Sequence, residues 1–204
     1  MTVRHAMDGL VAEGLVERRH GSGTYVVPQP FVRLLGLTSF TQDMLERGLI
    51  ASSRLLEWAI APADGPLASQ LRVPVAEPVV RFTRLRFGSG DAMAVETVWI
   101  PSALVPGLAP GDLDGSLYEL LARRYRIVTG AARVKIDPVL PDAATRELLT
   151  IAPDQACLRV RMVDLDPRGR VLMVASCIYR GDKYHLTAEL TGAAFSAAQA
   201  RRAG

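Results

Sequence analysis

Two turn signals, Gly88-Ser89-Gly90-Asp91 and Asp166-Pro167-Arg168-Gly169, each separate two long runs of β-type residues, at about 78–87 and 92–100 and at about 156–165 and 170–180. Connections that short join antiparallel neighbours, because a parallel pair needs a crossover of about a dozen residues. Further strand-like runs at about 53–60, 127–139 and 184–190 alternate with helical patterns over 66–71, 116–125 and 142–150. Together they predict an α+β fold, a mainly antiparallel sheet with helices on one side or at its ends. A shorter helix at about 38–48 has Ser39 as its cap, Gln42 as the reciprocal partner and Gly48 as its stop.

Charge breaks the strand alternation at one place. In Val80-Arg81-Phe82-Thr83-Arg84-Leu85-Arg86-Phe87, Arg84 and Arg86 share parity with Val80 and Phe82. In the following run Glu96 shares parity with Ala94, Val98 and Ile100. If paired residue numbers sum to 180, Arg84 lies opposite Glu96 and Arg86 opposite Ala94, all on one apolar face; a register shifted by one would separate Arg84 from Glu96. Ions on such a face must pair with each other or hold a ligand, because an unpaired buried charge costs several kcal/mol. Ser116-Leu117-Tyr118-Glu119 adds a capped helix start with Glu119 as the capping-box partner, and its exposed N–H groups suit an anion.

The start of the chain has a different character. Val3, Met7, Leu10 and Val11 form one apolar stripe of a helix, and two short strand-like runs follow around His20-Gly21-Ser22-Gly23, whose glycines permit a tight hairpin. Pro28 and Pro30 punctuate a linker over 28–35, and the Ala-rich stretch from Gly192 onward reads as a flexible tail.

Composition excludes several classes. At 204 residues, 49% hydrophobic and 22% charged, with a net charge of +3, the chain is globular and has no global basic field. The amphipathic start has no signal-peptide core and no apolar run reaches membrane-spanning length, so a cytoplasmic protein without a membrane partner is expected. Cys157 and Cys177 lie in apolar runs without metal-ligand spacing and read as buried thiols; no metal or cofactor is expected. His5, His20 and His185 are scattered, and no nucleophile stands beside a histidine. Binding rather than catalysis is therefore the expected role.

The string Thr2-Val3-Arg4-His5, then Glu13-Gly14-Leu15-Val16 and Arg18-Arg19-His20-Gly21-Ser22-Gly23-Thr24-Tyr25-Val26, resembles the second half of the winged helix-turn-helix of GntR-type bacterial transcription regulators. The later order Leu37-Thr38-Ser39-Phe40-Thr41, Arg84-Leu85-Arg86, Glu96-Thr97, Ser116-Leu117-Tyr118-Glu119 and Tyr179-Arg180-Gly181-Asp182-Lys183-Tyr184 resembles the UTRA effector-binding domain of the HutC subfamily. The resemblance implies a chorismate-lyase-like domain over 36–191 that binds a metabolite without converting it, and a homodimer reading operator DNA through a partial winged helix over 1–27. Thr2, Arg4, His5, Arg19, His20, Gly21, Ser22 and Thr24 would face double-stranded DNA. Phe40, Thr41, Arg84, Arg86, Glu96, Ser116 and Tyr118, with Tyr179 and Tyr184 as weaker candidates, would contact a small, anionic effector such as a sugar phosphate. Arg84→Ala would then abolish effector response in an intact fold.

The alternative is a stand-alone metabolite-binding or lyase-like protein that has lost DNA binding. In the family the recognition helix packs on two earlier helices, which precede the residues that begin this chain. Met1 is thus an internal residue of a longer protein or the start of one with a vestigial reader, and the chain alone is expected to bind DNA poorly.

Overall fold

The computed structural model describes residues 3–12, 16–26, 31–34 and 39–187. The chain divides into two compact units, 1–31 and 32–204.

In the first unit, helix α1 (Val3–Ala12) precedes a hairpin of β1 (Val16–Arg19) and β2 (Gly23–Val26). Val16 pairs with Val26 and Arg19 with Gly23. Gly21 at φ +74° and Gly23 at φ +118° take up the reversal, a region that side chains with a Cβ enter at a cost. Asp8 of α1 holds Arg18 of β1 at 2.6 Å. The stripe on α1 is only half covered: Met7 and Val11 are partly buried, while Val3 is 82% and Leu10 36% exposed.

The second unit is built on a six-stranded sheet in the order β4-β5-β6-β9-β8-β7, antiparallel throughout. Its strands are β4 (Ala51–Pro62), β5 (Pro78–Gly88), β6 (Asp91–Pro101), β7 (Ala131–Val139), β8 (Cys157–Leu165) and β9 (Val171–Arg180). Two three-stranded meanders, β4-β5-β6 and β7-β8-β9, meet along the β6–β9 ladder. The β5–β6 register pairs Arg84 with Glu96 and Arg86 with Ala94, the in-register alternative of the sequence reading.

Helix α4 (Leu117–Tyr125) and the 3-10 turns Ser102–Leu104 and Pro110–Asp112 lie between β6 and β7. Leu117 and Leu121 of α4 and Leu108 and Leu113 before it pack on Phe82, Val98, Ile100, Met173 and Ala175 of the sheet. Helices α3 (Gly65–Leu71) and α5 (Ala143–Leu149) cover the opposite face: Leu71 packs with Val79 and Val174, and Leu149 with Leu85 and Val95. Helices thus flank both faces rather than one, because the central strands are apolar on both parities.

Helix α2 (Phe40–Glu46) docks through Phe40 and Met44. Its approach to the sheet needs Gly88, where a Cβ would come within 2.8 Å of the Met44 sulfur. The span expected to be linker contains β3 (Phe31–Leu34), which pairs with β10 (Tyr184–Thr187) in a separate two-stranded sheet. Cys157 and Cys177 are both buried, and the register places them on opposite faces of the sheet, so they do not pair with each other. The proposed tail over 192–204 and the end of the run expected to reach 190 lie outside the described residues.

Candidate functional site

Arg84 and Arg86 project from β5 toward the start of α4, and both guanidiniums are buried, at 1% and 3% exposure. Their situations differ. Arg84 donates from Nε to Glu96 Oε2 at 2.8 Å and from Nη2 to the same oxygen, while Nη1 donates to the carbonyls of Leu113 at 2.8 Å and Gly115 at 3.0 Å. All three nitrogens therefore have acceptors within the fold.

Arg86 is held loosely. Its contacts are Thr41 Oγ1 at 3.3 Å, the Gly115 carbonyl at 3.5 Å and Glu96 at 3.8 Å, and its buried Nε has no hydrogen-bond partner among the described residues. Burial pulls its pKa down from the ordinary arginine value; Glu96 opposes the shift and Arg84 adds to it. The guanidinium also lies over the Phe40 ring at 4.6 Å.

Ser39, Phe40, Arg84, Arg86, Glu96, Ser116, Leu117 and Tyr118 border a cavity floored by Val98, Met162, Met173 and Ala175. Its volume is about 20 Å³, room for roughly one water. Ser116 caps α4 by accepting from the Glu119 N–H at 3.3 Å. Glu119 does not close the capping box; its carboxylate approaches Arg123 at 3.9 Å. Ser39 likewise accepts from the Gln42 N–H, while the Gln42 side chain turns to Glu46.

Of the residues expected to contact effector, seven therefore gather here, Thr41 through its bond to Arg86. The two tyrosines sit outside the cavity lining. Tyr179 stacks on Tyr184 with ring centroids 4.3 Å apart, and the Tyr184 hydroxyl donates to Asp43 of α2 at 2.5 Å with both residues buried. Tyr184 thus anchors α2 through a hydroxyl engaged by Asp43, and the structure does not bring the two weaker candidates, Tyr179 and Tyr184, into the cavity lining.

Sequence reasoning missed Asp164. On β8 it shares parity with Val160 and Met162 and is fully buried. Oδ2 accepts from the Tyr118 hydroxyl at 2.7 Å, whereas Oδ1 is buried with no partner among the described residues. Burial pushes its pKa up to about 6, against the opposing Tyr118 hydrogen bond. Burial first, and the Asp164 charge second, hold the Tyr118 hydroxyl protonated, well above the ordinary tyrosine value.

Because the folded pKa exceeds the ordinary 3.8, the unpaired charge opposes folding above about pH 6, and this penalty is relieved as pH falls toward 4. Between pH 7.5 and 5 the chain should gain about 1 kcal/mol over Asp164→Asn in denaturant melts. A stability difference between the two proteins that stays flat across that range would contradict this.

In the first unit, His5, Arg19, His20, Gly21, Ser22 and Thr24 are exposed. Arg19 pairs with Glu17 at 2.5 Å and lies over the Tyr25 ring, whose hydroxyl meets Ser22 Oγ at 2.7 Å. Tyr25, not singled out from the sequence, thus knits the hairpin tip. Thr2 lies outside the described residues, as does the side chain of Arg4.

The model of the UTRA domain matches residues 46–185, and that of the bacterial regulatory proteins of the gntR family matches residues 1–26. The chain belongs to the GntR family. As a GntR-family protein with a UTRA domain, it is 32% identical to the HTH-type transcriptional repressor NagR of Bacillus subtilis, over 90% of this chain and 76% of that protein. It is 33% identical to the repressor PhnF of Mycolicibacterium smegmatis over 92% of this chain and 76% of the relative. The crystal structure of PhnF superposes with a TM-score of 0.81 at 31% identity, covering 93% of this chain and 84% of that one. This GntR-family chain is accordingly a transcriptional regulator, with the α+β fold of the UTRA domain after a partial helix-turn-helix. Among the described residues no helix is long and apolar enough to cross a membrane.

Proposed function

We propose that this regulator is a repressor whose second unit binds a small anionic metabolite, of the class of sugar phosphates, and so controls a homodimer on operator DNA. The observation that carries the effector reading is Arg86: a buried guanidinium with three long contacts and an Nε without a partner among the described residues. A cation in that condition is costly, and an anion would complete its coordination. The start of α4 beside it adds the partial positive charge of a helix N-terminus.

At about 20 Å³ the cavity admits no sugar phosphate without rearrangement. Its pliable walls are Tyr118, Met162 and Met173, and methionine adapts to a changed shape at little cost. Binding therefore selects an opened form of the site, and the free energy difference between the two forms is what an effector can transmit. The reader is assigned to 1–27, with α1 and the exposed hairpin as its DNA-facing elements, the linker to 28–35, the effector domain to 36–191 and the tail to 192–204.

Thermal melts of the 204-residue chain with sugar phosphates, phosphonates, urocanate and fatty acids test the reading. An anionic hit at about 100 times its dissociation constant adds roughly 2.7 kcal/mol, a shift of several degrees. Shifts with neutral ligands alone would refute the anionic assignment. Conversion of the hit during incubation, seen by chromatography, would favour the lyase-like alternative.

A further inference from the structure

We propose that Asp164 is a second polar pole of the effector site, an acceptor that reads a hydroxyl or ammonium at the end of the effector away from its anionic group. The proposal rests on the anion-binding reading above and specifies the other end of the ligand.

Three observations converge on it. Tyr118 lines the cavity beside Ser116 and Glu96, and its hydroxyl reaches Asp164. Asp164 itself does not line the cavity; it lies directly behind Tyr118 and across the β8–β9 ladder from Met173, two of the residues that do, so a displaced Tyr118 ring would open the cavity onto a buried carboxylate. Oδ1 of that carboxylate has no partner among the described residues, although the residue is fully buried. Buried acceptors are nearly always satisfied, and one that is not marks a place where something else binds. Finally, the cavity must enlarge to hold more than a water, and Tyr118 is the bulkiest side chain on its pliable side. Moving Tyr118 removes the one hydrogen bond that the Asp164 carboxylate has among the described residues. An effector that displaces it leaves a doubly unsatisfied buried carboxylate unless it brings a donor of its own.

Glu96 does not serve this end. Its carboxylate is engaged by Arg84 and stands near Arg86, at the anionic pole. The site thus favours molecules with an anion at one end and a hydrogen-bond donor at the other, separated by about the length of a tyrosine side chain. An anion with a purely apolar tail would strand Asp164.

Calorimetric titration of the full chain with butyl phosphate and 4-aminobutyl phosphate separates the two poles. The amine is expected to bind about tenfold or more tightly, the effect of one charge-assisted hydrogen bond. Asp164→Asn should bring that ratio toward one, and Tyr118→Phe, which removes the competing donor, should widen it. Equal affinities in the unaltered chain would overturn the role of Asp164 while leaving the anionic pole standing. A preference that persists in Asp164→Asn would overturn it too and place the donor at Glu96. Binding of neither compound would bring down both readings. Should Asp164→Asn fail to fold, the ratio in the unaltered chain and in Tyr118→Phe still decides.

Discussion

Replacing Arg84 with alanine should strongly destabilise the second unit rather than silence an intact one. Its guanidinium is 1% exposed and is the donor to Glu96 and to the carbonyls of Leu113 and Gly115. Those carbonyls belong to the segment that leads into α4, so the arginine ties that segment to β5. Deleting it takes the main counter-ion from Glu96 and two donors from the backbone at once. Breaking a buried ion pair from one side costs about 3–5 kcal/mol, a large part of the roughly 5–15 kcal/mol that holds a domain together. Urea melts should show a midpoint collapse of that size. Arg84→Met combined with Glu96→Gln should recover part of the loss, because neither partner is then left charged alone. A single alanine variant within about 1 kcal/mol of the parent would refute this account. The sequence reading expected the opposite, an intact fold without response, because parity places the two arginines on one face and does not distinguish them.

Arg86→Met carries the complementary expectation. Its longest contacts are near the limit of hydrogen bonding, its Nε has no partner among the described residues, and the Arg84 charge acts against its own. An unbranched apolar side chain of similar length removes a costly buried charge and relieves that repulsion, so stability should change by no more than about 1 kcal/mol. Affinity for an anionic ligand should instead fall roughly a hundredfold, the usual loss when one partner of a buried charge pair is truncated. Titration of the variant with the strongest anionic hit from the thermal melts checks this. Unchanged affinity would mean that the anion is held elsewhere.

Much of the sheet was legible because its turns and parities are local signals. The Gly88-Ser89-Gly90-Asp91 connection and the sum-of-180 register led from sequence to the Arg84–Glu96 pair observed in the ladder. Asp164 carries the same signal, a charge on the parity of Val160 and Met162, and was overlooked because the residues opposite it on the two neighbouring strands, Ala132 and Met173, carry no charge. Its partner is a hydroxyl 46 residues away on a helix, which only tertiary structure brings near. The strand Phe31–Leu34 was hidden for a related reason. Phe31-Val32-Arg33-Leu34 holds strand-favouring residues, but four positions just after two prolines are too few to read as a strand, and their state comes from pairing with β10, about 150 positions later. The contact of Tyr184 with α2 was not legible because the stripe of Phe40, Asp43 and Met44, which includes a buried carboxylate, gives no local sign of being a docking face.

The meeting of two meanders along the β6–β9 ladder gives the cavity a particular mechanical meaning. Arg84, Arg86 and Glu96 stand on one half of the sheet, while Met162, Asp164, Met173 and Ala175 stand on the other. A molecule lodged between them would add its grip to what already joins the two halves, the β6–β9 ladder and the side chains packed under α3 and α4. On the effector reading, occupancy would then tie one meander to the other as well as fill the cavity.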